Sequence, residues 1–267
     1  MKQTKFLVLA FASLLAGAAV FADEAYDIIK KSSTLPVPDF SETTLEMDLI
    51  EKDGTVSEHR VIQQFGRRNN GLVETIFAFK SPAAIKDTRI LKAEKAGKDD
   101  DQWIYLPSLR TTRRIAMAER QKSFVGSDFT YDDMALRKVD DDDQAMMNEN
   151  VSKTIGGTTY NCWQIKSTAK QKKGEFSYRV QYIDKDTYLP VQIDYFDKKG
   201  EPLKTYTIEK IVRTTDPRSK NQLLIRWENR VVNAKTGHST TVKLAKQSFE
   251  KEQPARLFTQ GWLNTGK

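Results

Sequence analysis

Residues 102–134 bring Trp103, Tyr105, Leu106, Arg110, Arg113, Arg114, Ile115, Phe124, Phe129, Tyr131 and Met134 into one short stretch. Large apolar side chains shed water and guanidinium groups seek anions, so this mixture suits an apolar pocket with a cationic rim. Its ligand would carry acyl chains and an anionic head. The same residues also suit an ordinary core beside a solvated basic strand, and composition alone does not choose.

Patterns for catalysis or metal binding are sparse. His59 and His238 lie far apart, each in or beside an expected hairpin, with no second His or Cys at metal-ligand spacing. They are expected as surface residues on β structure. Cys162 sits between Asn161 and Trp163 in an expected strand, where a small thiol packs rather than reacts. Gly126-Ser127-Asp128 is not the G-x-S-x-G elbow of a serine hydrolase. There is no P-loop and no G-x-G-x-x-G. The acidic run at residues 140–143 lacks the spaced ligands and turn glycine of a calcium loop, so it is expected to be solvated. The expectation is a protein that is not an enzyme, with no catalytic residues, no metal and no cofactor.

The elements that must position residues 102–134 read as β structure. Leu45, Met47 and Leu49 alternate with Glu46, Asp48 and Ile50; Asp53-Gly54 suits a tight turn; residues 60–65 return as a partner strand. Residues 74–79, 88–93, 102–106, 160–167, 178–184, 191–196, 203–209, 223–229 and 240–244 continue the series. The count is about eleven antiparallel strands in a curved sheet or barrel, because the connections are too short for crossover helices. Leu45, Met47, Ile104, Leu106, Ile193 and Ile208 are expected on one face. Residues 23–33 form an amphipathic helix with Ala25, Ile28 and Ile29 on one side. Short helices are also expected at residues 81–86, 129–138 and 254–263, with Asp128 capping the second and Pro254 opening the third. Around Thr111 and Thr112, Arg110 and Arg114 would share one strand face and Arg113 the other.

The N-terminus sets the compartment. Lys2 and Lys5 precede an apolar run at residues 6–21, and Val20-Phe21-Ala22 has small residues at the −3 and −1 positions. This predicts a secretory signal peptide, residues 1–22, cleaved after Ala22, and a soluble periplasmic domain over residues 23–267. The formal charge of +7 falls to +5 once Lys2 and Lys5 are removed. That excess is too small to suggest a nucleic-acid partner. With one cysteine the exported fold has no internal disulfide.

A resemblance sharpens the picture. Trp103, Tyr105, Leu106, Pro107, Arg110, Arg113, Arg114 and Ile115 write W-x-Y-L-P-x-x-R-x-x-R-R-I; Ser123, Phe124, Gly126, Ser127, Asp128, Phe129, Tyr131, Asp133 and Met134 write S-F-x-G-S-D-F-x-Y-x-D-M. The pair resembles the signature of the outer-membrane lipoprotein-sorting proteins, relatives of the periplasmic lipoprotein carrier LolA. Tyr188-Leu189-Pro190 is similar to a later strand entry of that family. The resemblance implies a mainly β fold, an unclosed β-barrel whose concave apolar face is covered by short helices. It implies a periplasmic carrier, or chaperone, that binds acyl chains of lipoproteins or other lipids and moves them towards the outer membrane. An inner-membrane transporter would be the donor and an outer-membrane component the acceptor, with only transient membrane contact. A lipid-sensing or accessory subunit of an envelope transporter is the alternative on the same fold. In this reading residues 129–138 are a lid helix, and at least one of the three arginines meets an anionic lipid head or an acidic partner, or else they pair with Asp128 and Asp133 to hold the lid.

Overall fold

The computed structural model describes residues 23–135, 137–171 and 174–267. The expected leader, its cleavage site and Leu136 lie outside them. Thirteen strands form one antiparallel sheet: β1 (Phe40–Ile50), β2 (Val56–Asn69), β3 (Leu72–Ser81), β4 (Arg89–Lys95), β5 (Lys98–Leu106), β6 (Thr111–Arg114), β7 (Asp142–Ile155), β8 (Thr158–Ala169), β9 (Tyr178–Asp184), β10 (Pro190–Phe196), β11 (Pro202–Thr215), β12 (Gln222–Asn233) and β13 (Ser239–Ser248). Helix α1 covers residues 23–33. Near the C-terminus a 3-10 turn, Ala255–Phe258, leads into α2 (Gln260–Thr265).

Strand order runs β6-β5-β4-β3-β2-β1-β13-β12-β11-β10-β9-β8-β7. Each strand pairs with its sequence neighbour except at the centre, where β1 meets β13. The edges are therefore β6 and β7, which follow one another in the chain. The sheet is open, with β6 and β7 unpaired to each other.

The count exceeds the expected eleven because of those two edge strands. Neither alternates. β6 reads Thr-Thr-Arg-Arg, and most of β7 is exposed, so neither carries the buried set from which a strand is recognised. Central strands do alternate: β1 buries every second residue from Ser41 to Leu49. Hairpin chemistry is local. Asn70-Gly71 and Gly156-Gly157 both hold positive φ at two successive residues, which a two-residue turn needs to follow the strand twist.

Two compact units divide the chain. One holds residues 23–35 and 137–202, where Ala25, Ile28 and Ile29 of α1 pack on Ile165 and Ile183, as the helix pattern predicts. Of the acidic run, Asp140, Asp141 and Asp143 are exposed as expected, and Asp142 alone departs. Val139–Asp141 form a 3-10 turn and Asp142, 2% exposed, opens β7. Arg137 grips its carboxylate with bonds of 2.7 and 2.5 Å, and Arg179 adds one of 3.1 Å. Asp142 is buried because it is paired.

The second unit, residues 36–136 and 203–267, contains the larger core. Leu45, Met47, Leu49, Ile62, Phe79, Ile90, Ile104, Val231 and Leu244 form one cluster on one face of its strands, with Leu106 packed against it. Ile193 and Ile208 are also buried but belong to no part of that cluster. The expected helix at residues 81–86 is a turn. The ladder on both sides, Phe79 to Thr88, leaves room for one loop closed by Lys86 N donating to Pro82 O at 3.0 Å.

Cys162 has no exposure, and burial pushes its thiol up to about 12, with Asp184 adding to the effect. The folded protein is expected to resist a thiol-labelling reagent near neutral pH and to react fully in denaturant. Rapid labelling of the native chain would contradict this environment.

Candidate functional site

Strand β5 shows how the aromatic segment is deployed. Because side chains alternate across a strand, Ile104 and Leu106 join the larger core while Trp103 and Tyr105 join a second cluster. That second cluster holds Ile76, Leu91, Phe258 and Leu263. It lies under the C-terminal segment, where Arg89 Nε donates to Leu263 O at 2.7 Å and the guanidinium stacks 4.3 Å from the Tyr105 ring. Trp103 and Tyr105 therefore do not share a pocket with Ile115, Phe124 and Phe129. Six residues of helix α2 cover this face, the one opposite to the larger core, so the expected helical cover is on the other side of the sheet.

The larger core has its own cover, and it is a loop. Ile115, Phe124 and Phe129 are buried in that cluster, with Val125, Tyr131 and Met134 packed against it. Phe124 is central: its ring lies 5.6 Å from Phe77, 6.1 Å from Phe79 and 5.6 Å from Tyr131. Each such side chain contributes about 1.5–3 kcal/mol by leaving water. The cover fills the apolar face with its own side chains. A cleft of about 530 Å³ is lined by Trp227, Glu42, Thr44, Gln63 and residues 245–248, none of which belongs to the aromatic segment at residues 102–134.

The described residues of 129–138 do not form the expected helix. Thr130 bridges back to Ser123, and one turn over residues 131–134 follows. Its cap is Thr130, not Asp128: Asp133 Oδ2 accepts from Thr130 N at 2.7 Å, and Asp133 N donates to Thr130 Oγ1 at 3.2 Å. Asp128 is engaged elsewhere. Its Oδ2 accepts from Thr240 Oγ1 at 2.7 Å and lies 2.6 Å from His238 Nδ1, while its backbone N donates to Thr240 Oγ1 at 3.0 Å.

Tertiary anchors of this kind recur along the cover. Arg60, 4% exposed, projects from β2 into the apolar face, binds Glu58, and its Nη1 donates to Val125 O at 2.6 Å. Val125 holds φ +51, an outlier for a β-branched residue, so the carbonyl that Arg60 grips belongs to a strained turn. Lys204 Nζ donates to Asp133 Oδ2 at 2.6 Å. Gln102 Nε2 donates to Tyr131 O at 3.0 Å, and buried Arg120 pairs with Asp100. None of Arg60, Gln102, Arg120, Lys204 or His238 stands out in the sequence as a site residue, because its partner is distant or is a backbone carbonyl.

The arginines of the rim also differ from expectation. Arg110 lies in the turn before β6 at φ +50 and shares no strand face with Arg114. Arg113 sits opposite Ile104 and Arg114 opposite Trp103, so those two do point to opposite faces. Neither pairs with Asp128 or Asp133. Arg113 bonds Glu119 at 2.7 Å and Arg114 bonds Asp101. Histidine 59 behaves as a surface residue, exposed and 2.6 Å from Asp48.

The fold is similar to those of several solved structures. An outer membrane lipoprotein-sorting protein domain from Vibrio parahaemolyticus superposes with a TM-score of 0.78 at 22% identity, covering 91% of this chain and 99% of that one. A DUF1329 family protein from Desulfovibrio piger gives the same values. A LolA superfamily protein from Nitrosomonas europaea gives 0.59 at 15% identity, covering 89% and 98%. A family model described as "Uncharacterized protein" matches residues 71–265, and the chain belongs to that family. No curated protein matches the sequence.

Glu119 reports the charge of the rim. Hydrogen bonds from Lys122 and Arg113 hold its carboxyl at about 2, against an ordinary 4.5. A depressed carboxyl favours folding above its unfolded value, and that contribution disappears as pH falls from 4.5 towards 2. A carbon-detected titration of the side chain is expected to show a midpoint near 2, moving up in high salt. A midpoint near 4.5 in low salt would mean that the pairs are not formed.

Proposed function

We propose that this protein is a carrier of acyl chains, and that the loop at residues 115–135 is the gate. The observation that carries the reading is that the apolar face is covered by a loop, not a helix, tied down by hydrogen bonds. Phe124 and Phe129 occupy the space that acyl chains would take, and Arg60 ties the loop through a backbone carbonyl rather than through packing. Lifting the cover exchanges its side chains for the ligand's methylenes, each contributing about 0.8 kcal/mol. The exchange of one apolar filler for another keeps binding reversible, as delivery requires. Strain at Val125 favours release of the turn once Arg60 lets go.

In this reading residues 1–22 direct export and are removed after Ala22, and the protein works in the periplasm as a non-catalytic chaperone for lipid. Among the described residues, no helix is long and apolar enough to cross a membrane. An inner-membrane transporter supplies the lipoprotein or other lipid, and an outer-membrane acceptor takes it. Fold likeness to a lipoprotein-sorting domain supports this cargo class.

Hydrogen exchange tests the gate. Amides of Ile115, Phe124 and Tyr131 are protected by bonds to Gln102 O, Phe129 O and Lys122 O. A fluorescent long-chain fatty acid is expected to bind and speed exchange at these positions. Equal protection with and without bound probe would make the segment a fixed plug and end the proposal. Arg60→Gln is expected to speed the same amides without probe and lower stability by about 2 kcal/mol, the scale of a lost charged hydrogen bond. Export is checked separately: the intact mass of protein recovered from a periplasmic extract should match a chain beginning at Asp23.

A further inference from the structure

The β6 edge of the sheet presents charge and apolar surface that neither core uses. Leu109, in the turn before β6, is 65% exposed, and Met117, just after it, is 56% exposed. Between them lie Arg110, Arg113 and Arg114. Arg110 is exposed and has no partner among the described residues. The two carboxylates at this edge are outnumbered: Glu119 is shared by Arg113 and Lys122, and Asp101 by Arg114 and Lys95. Residues 95–122 carry seven basic and four acidic side chains, a net +3. The platform is held from behind, because Thr112 Oγ1 donates to Asn264 Oδ1 at 2.6 Å beside α2.

We propose that this edge is a docking surface for a bilayer bearing anionic phospholipid headgroups. Guanidinium groups bind phosphate oxygens in pairs. Two exposed apolar side chains flanking the charges enter the interfacial zone beneath the headgroups, which adds binding that a purely ionic contact lacks. A soluble acidic protein would satisfy the arginines but leave Leu109 and Met117 with no groove to fill. The rim arginines are thereby assigned to the membrane from which cargo is collected or to which it is delivered, not to cargo inside the sheet. The proposal does not depend on the gate, since a protein whose cover never opened would still partition onto such a surface.

Cosedimentation of the full-length mature chain with vesicles decides it. Binding is expected to vesicles rich in phosphatidylglycerol, to be absent with phosphatidylcholine alone, and to fall steeply with added salt. Arg110→Gln should weaken binding about fivefold. The double substitution Leu109→Ser, Met117→Ser should weaken it at unchanged net charge. Both variants should keep the parent Tm, because the altered side chains are exposed. No preference for anionic vesicles, or full binding by both variants, overturns the proposal. Binding to soluble polyglutamate that matches vesicle binding, with no effect of the Leu109 and Met117 changes, overturns it in favour of an acidic protein partner.

Discussion

The pairing of β1 with β13, from Glu42 opposite Ser248 to Ile50 opposite Ser239, organises the sheet. Every other neighbour relation is a hairpin between consecutive strands. Once first and last strands meet in the middle, the two strands adjacent in the middle of the sequence are forced to the edges. Within the larger unit the chain that follows β6 lies over an apolar face. Residues 115–135 meet that face by packing rather than by connectivity alone. Their sequence supplies Ile115, Phe124 and Phe129 to make the contact favourable.

A cover that is only apolar would fuse with the core, and a cover that is only polar would leave the face wet. This one alternates between the two. Its aromatic side chains pack into the core, and its backbone and acidic groups are met by Arg60, Gln102 and Lys204 on strands and by His238 in the turn before β13. Buried charges are tolerated only when paired, and removing one partner leaves the other stranded. Such anchors therefore fix where the cover lies more strictly than aromatic packing does.

Strand β5 separates functions by alternation. One set of its residues supports the cover and the other supports the C-terminal helix, so mutations two positions apart report on the same face and mutations one position apart do not. The signature motif spans both faces because it encodes the local frame, a strand, a turn, an edge strand and a covering loop. It is not a list of residues lining one cavity.

Much of this was legible in the sequence. Residues 23–33 alternate with helical period and bury Ala25, Ile28 and Ile29; β1 alternates with period two; Asp53-Gly54 turns the chain where expected, with Gly54 at φ +91. These are local properties, set by side-chain spacing and backbone freedom. What spacing could not show was the edge strands, which lack a buried set, and the fate of residues 129–138. There helix-forming signals existed, yet Asp128 is taken by His238 and Thr240, some 110 and 112 residues away, and Asp133 by Lys204, 71 residues away. Only the tertiary structure decides such matters. Sequence patterns specify which residues seek burial or charge, but the partner that satisfies each is chosen by strand order, and hydrogen bonds across a sheet outweigh the local preference of a ten-residue segment.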